Sequence, residues 1–148
     1  MITEIEQQSL DIDWFFTDGK HVAFVASGGG KLPKSIAESS DYNLLSSYFR
    51  NLPEKSEIEI NVSLSEILKM VPDERYLADY VLMTKKGLYS FDKTILNNFL
   101  DPNYHLVAQP ISPLEIIDLP KEVFEILIKS KYDKNLTSIS SFNSFEIT

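Results

Sequence analysis

Gly28-Gly29-Gly30-Lys31 comes nearest in this chain to a phosphate-binding loop. Such a loop needs a further glycine at position 25 and a serine or threonine at 32, whose hydroxyl holds magnesium. The chain has Val25 and Leu32, so that hydroxyl is missing. No correctly spaced third glycine opens a helix, as a dinucleotide fingerprint requires. The triplet therefore reads as a flexible turn between a strand and a helix, because glycine reaches backbone angles other residues avoid. Its functional alternative is a loop that shapes itself around a partner. His21 and His105 are the only histidines, and their spacing makes no HxH, HxxxH or HExxH metal motif. Either could work with a carboxylate only if the fold brings the two within hydrogen-bond reach in a cleft. Ser27 lacks the glycine two residues earlier that a nucleophile elbow demands. With no cysteine, disulfides, thiolate metal sites and cysteine nucleophiles are excluded. No catalytic, cofactor-binding or metal-binding set emerges.

The densest acidic spots are Asp73-Glu74 and the pair Glu57 and Glu59. Paired carboxylates act as acid and base when burial separates their pKa values. Here the first pair opens an expected helix, where it complements the helix dipole, and the second lies on the polar face of an expected strand. Their functional alternative is a docking surface for a basic partner. Aromatic residues lack interleaved basic ones, which argues against a base-stacking surface. Trp14 and Phe15 are adjacent on an expected strand and so point to opposite faces; one of them is expected to be exposed and available for contact.

Positioning these residues falls to a chain of 148 residues, the length of one domain with a real core. Net charge is −8, and the acidic excess is spread along the chain, with seven acids to four bases in residues 1–50, eight to six in 51–100 and seven to four in 101–148. Such a surface repels nucleic acid and acidic membranes and draws basic proteins, although solubility alone would also account for it. No run approaches the roughly 20 apolar residues of a membrane span. The acidic opening MITEIEQQSL has no secretory pattern, so the expected address is the cytoplasm.

Ile12 to Pro33 reads IDWFFTDGKHVAFVASGGGKLP, two apolar runs about Asp18-Gly19, and predicts a β-hairpin covered on both faces. Residues 1–10 form a loose lead-in or short helix, and 34–39 a helical turn. A helix is expected from Ser40 or Asp41 through Asn51, and Pro53 stops it. Glu57 to Val62 alternates cleanly and predicts a strand with one packed face. A short helix through Met70 follows, then a longer one over Asp73 to Lys86 ended by Gly87. Leu88 to Phe91 reads as a short strand or turn, and 94–100 as a helical turn. Tyr104 to Gln109 is a strand bounded by Pro110, expected at an edge or bulge. A helix begins at Leu119-Pro120 with Val123, Phe124, Leu127 and Ile128 as its core face. The tail from 135 to 148 is a last strand pair or a loosely ordered arm. Together these predict a single α+β domain, residues 1–148, with a mainly antiparallel sheet packed on several short helices.

Ile12 to Pro33, KKGLYSFDK (Lys85 to Lys93) and YHLVAQPISPLEIIDLP (Tyr104 to Pro120) together resemble small bacterial immunity proteins found beside polymorphic toxins. The resemblance implies a cytoplasmic α+β protein that neutralises a cognate toxin by binding it, and it carries over no particular residue. The expectation is thus a non-enzymatic protein with no cofactor, bound to one basic protein partner and to neither nucleic acid nor membrane. Its candidate contact residues are Trp14, Phe15, Gly28, Gly29, Gly30, Lys31, Glu57, Glu59, Asp73 and Glu74. Two alternatives stand beside it. One is a small-ligand or regulatory module with a pocket at Gly28–Gly30 beside Lys31. The other is an enzyme that pairs an acid with His21 or His105.

Overall fold

A computed structural model describes all residues, 1–148. Thr3 caps helix α1 (Glu4–Ser9) in a reciprocal capping box with Glu6, so the lead-in is ordered. Strands β1 (Asp13–Thr17) and β2 (Val22–Ala26) form the expected antiparallel hairpin, with Thr17 opposite Val22. Its connection is four residues long rather than a two-residue Asp-Gly turn. Asp18 Oδ1 accepts the amides of Lys20 and His21 at 2.9 and 2.7 Å and so shapes the loop itself.

Helices α2 (Lys34–Ala37) and α3 (Tyr42–Arg50) follow, then β3 (Ile58–Ile60), α4 (Leu64–Leu68) and α5 (Glu74–Lys85). Strands β4 (Tyr89–Lys93) and β5 (Asn103–Pro110), helix α6 (Lys121–Leu127) and strand β6 (Ser141–Asn143) complete the chain. The sheet runs β1-β2-β4-β5-β3, and β6 also pairs with β5. Every pairing is antiparallel except β2 with β4. This is the α+β, mainly antiparallel domain that the sequence predicts.

Both faces of the hairpin are covered because both are apolar. Trp14, Phe16, Ala23 and Val25 join one cluster with Phe91, Tyr104, Leu106, Tyr132 and Phe142. Phe15, Val22, Phe24 and Ala26 join a second beneath α3, α5 and α6, with Phe49, Met83, Val107 and Leu127. Period-two alternation sends adjacent residues to opposite layers.

Several expectations are corrected. The cleanest alternation, Glu57 to Val62, yields only the three-residue edge strand β3, its isoleucines half-buried and Val62 98% exposed. An edge strand has one paired side, and here little packs over it. For Leu88 to Phe91, read as a strand or turn, the strand reading holds from Tyr89, and the strand is longer than expected: β4 runs on to Lys93, fully buried at the middle of the sheet. Residues 94–100, read as a helical turn, make bends and hydrogen-bonded turns, one closed by Asp101 N on the Asn98 carbonyl at 3.1 Å, but no helix. The tail is not loose. Phe142 is buried against five aromatic rings, with centroids 4.8 Å away at Phe16, 5.0 at Phe91, 5.2 at Tyr104, 6.0 at Trp14 and 6.1 at Tyr132. Thr148 and Lys131 also exchange backbone hydrogen bonds at 2.8 and 2.9 Å.

Candidate functional site

A polar stripe crosses the apolar face of the sheet beneath α5. Along β4 the side chains of Ser90 and Asp92 share that face, and Thr94 continues it. Asp92 lies opposite His105 of β5. Thr84 of α5 meets Ser90, Oγ1 to Oγ 2.7 Å, and Tyr76 Oη donates to Asp92 Oδ2 at 2.6 Å. Asp92 Oδ1 accepts the Lys93 amide at 2.8 Å. His105 does not hydrogen-bond to the carboxylate; its Nδ1 meets Thr94 Oγ1 at 2.9 Å, while Nε2 has no partner.

The electrostatics follow from burial. Burial first, then the Asp92 charge, holds the Tyr76 phenol far above its ordinary value, so it remains a donor to that carboxylate. Tyr80 is raised by the same two causes. Burial lowers His105 below 6.5, against a weaker opposite pull from Asp92. Asp92 is 8% exposed and His105 2%, yet Asp92 forms no ion pair within 4.0 Å. Lys93, next in sequence, turns to the other face of the sheet. Its Nζ donates to the Asp101 carbonyl and sits 5.7 Å from the centre of the Tyr104 ring.

A cavity of about 290 Å³ opens onto this carboxylate. Its apolar lining is Ile67, Leu68, Met70, Pro72 and Leu96, and Tyr76, Lys93 and Thr94 complete the wall around the carboxylate. Met70 and Leu96 stay 63% and 61% exposed, so they form a lip. Asp73, whose side chain caps α5 by accepting the Tyr76 amide at 2.8 Å, lies at the same cavity.

The structure scatters the ten candidate contact residues. Trp14 and Phe15 are 0% and 1% exposed, so neither is available for contact; each fills one of the two cores. The Gly28–Gly30 turn is pinned rather than flexible. Gly28 N donates to Asp11 Oδ1 at 2.9 Å, Gly30 N to the Ser27 carbonyl at 2.8 Å, and Lys31 N to the Phe99 carbonyl at 3.0 Å. Gly28 and Gly29 hold φ of +54° and +74°, angles that favour glycine. Lys31 borders a separate hollow of about 270 Å³ with Lys34 and Phe145, which contains no carboxylate or histidine. Glu57 and Glu59 are exposed at β3, where Glu59 accepts from Gln109 at 3.1 Å. Of the ten, Asp73 alone lines the carboxylate cavity, with Glu74 beside it in sequence and Gly28 behind its wall: a Cβ on Gly28 would stand 3.1 Å from Lys93 Cβ.

Asp92 and Tyr76 went unmarked in the sequence. The legible signal is a run of polar residues at alternate positions, Ser90, Asp92 and Thr94, the first two set between the aromatic Tyr89 and Phe91 and Lys93 of β4. No three His, Asp or Glu side chains converge as a metal-ion cluster would require. No helix is long and apolar enough to cross a membrane. Comparison with protein families, with curated proteins and with solved structures finds no match. The fold and cavity define an α+β protein with an apolar-walled groove over a buried carboxylate.

Proposed function

We propose that this chain is a non-enzymatic binding protein of the immunity type, acting in the cytoplasm to neutralise one basic protein partner through its acidic surface. One observation carries the reading. Glu57, Glu59, Asp73 and Glu74 take part in none of the six ion pairs of the fold, so their charge is free to meet a partner. A net charge of −8 adds long-range attraction for a basic protein and repulsion for nucleic acid. The nearest approach to a reactive centre also supports binding over catalysis: threonine holds His105, tyrosine holds Asp92, and the two do not bond each other.

The test is co-expression with the protein encoded by the adjacent gene. A defined complex on size exclusion, with rescue of growth from that protein's toxicity, is the expected result. The triple variant Glu57→Lys, Glu59→Lys, Glu74→Lys should weaken the complex at least about tenfold while leaving the circular dichroism spectrum unchanged, since all three side chains are exposed. Failure of the neighbour-encoded protein to bind overturns the proposal.

A further inference from the structure

The geometry points to the cavity over Asp92 as the seat of a cationic side chain, a lysine or arginine that the protein partner inserts between α4 and the turn after β4. This deepens the proposed function and rests on it.

A carboxylate removed from water is costly unless a cation meets it. Asp92 is 8% exposed and has hydrogen bonds from Tyr76 Oη and the Lys93 amide, but no counter-ion. Lys93 could have supplied one and does not, because its ammonium is engaged at Asp101 on the opposite face. By contrast, Asp13 beside another hollow is already paired, with Arg50 Nε at 2.7 Å and Ser46 Oγ at 2.7 Å. The hollow at Lys31 has two lysines and no carboxylate to receive a cation. Only the Asp92 cavity joins an unneutralised buried carboxylate to an open mouth.

The walls specify the rest of the occupant. Lysine and arginine carry an aliphatic stem behind the charge and bury that stem on apolar surface. Ile67, Leu68, Met70, Pro72 and Leu96 offer such a surface between lip and carboxylate. Asp73 places a second negative charge at the same cavity. An acidic group would meet two carboxylates, and a neutral apolar one would leave Asp92 unpaired and dry.

The test uses n-pentylammonium and n-butylguanidinium as side-chain mimics, with 1-pentanol and pentanoate as neutral and anionic counterparts, titrated into the isotope-labelled full chain. Both cations should shift the amides of Tyr76, Asp92 and Thr94 saturably. Pentanol should bind at least about tenfold more weakly, and pentanoate should leave those amides unmoved. Asp92→Asn should cost at least about tenfold in cation affinity. Leu96→Trp, at an exposed lip position, should block the cavity without disturbing the core, and keeps the test sound if the Asp92 variant fails to fold. Equal binding of pentanol and pentylammonium, or cation shifts at Glu57 and Glu59 but not at the cavity, overturns the inference. A neighbour-encoded partner that binds wild type and Leu96→Trp equally also overturns it, while leaving the proposed function standing.

Discussion

His105 is held neutral by its surroundings, and that has a measurable cost in acid. Burial depresses its folded pKa below 6.5, so near and below that pH the unfolded chain takes up a proton that the folded chain refuses. When the unfolded state binds more protons, stability falls as pH falls. Urea unfolding of wild type and His105→Gln should therefore show the wild-type advantage shrinking between about pH 7.5 and about pH 5.5. A constant difference would mean that His105 titrates alike in both states. The sequence marked this histidine but not its neighbours, because a contact between strands β4 and β5 depends on a register that no local pattern states. Trp14 and Phe15 failed as contact residues for a different reason. Alternation correctly sends them to opposite faces, and because both faces are apolar and covered, as the hairpin reading itself predicts, neither ring is left exposed.

Elements were legible where both their local preference and their packing agreed. The hairpin, α3, α5 and α6 each have an apolar face at the right period and lie close to where that period puts them. β3 was overstated, since alternation describes a half-buried strand equally well whether or not anything packs on it. β4 was understated, since Ser90 and Asp92 interrupt its apolar run although the strand is buried throughout. The junction between α5 and β4 was read correctly from Gly87. That residue holds φ of +102°, and a Cβ there would lie 2.7 Å from the Leu114 amide nitrogen. Gly87→Ala should thus destabilise by about 1–3 kcal/mol, from left-handed strain and from displacing the Leu114 backbone. Chemical denaturation measures it; a change within error would show that the junction relaxes freely.

Across the whole molecule the acidic excess is a property of the surface rather than of one tail, and it bears on how fast a partner arrives. Steering by net charge acts on association and is screened by salt, whereas contacts made after docking govern release. For a basic partner, the association rate should fall at least about tenfold between about 0.05 M and about 0.5 M salt, with a much smaller change in dissociation. Stopped-flow mixing separates the two. An association rate indifferent to salt would leave the charge with solubility as its only role. Charge and length were fully legible from composition; where the unpaired carboxylates gather was not, because Asp73 and Asp92 meet only through the packing of α5 on the sheet.

Strand β6 lies within the last eight residues and places Phe142 at the meeting point of aromatic rings from four other parts of the chain. Phe142 is made after every ring it meets. The hairpin, β4 and β5 precede Phe142 in the chain, so their aromatic layer stays unfilled until β6 has been made. Phe142→Ala would reproduce that state in the finished fold, an open aromatic face and a natural target for proteolytic clearance.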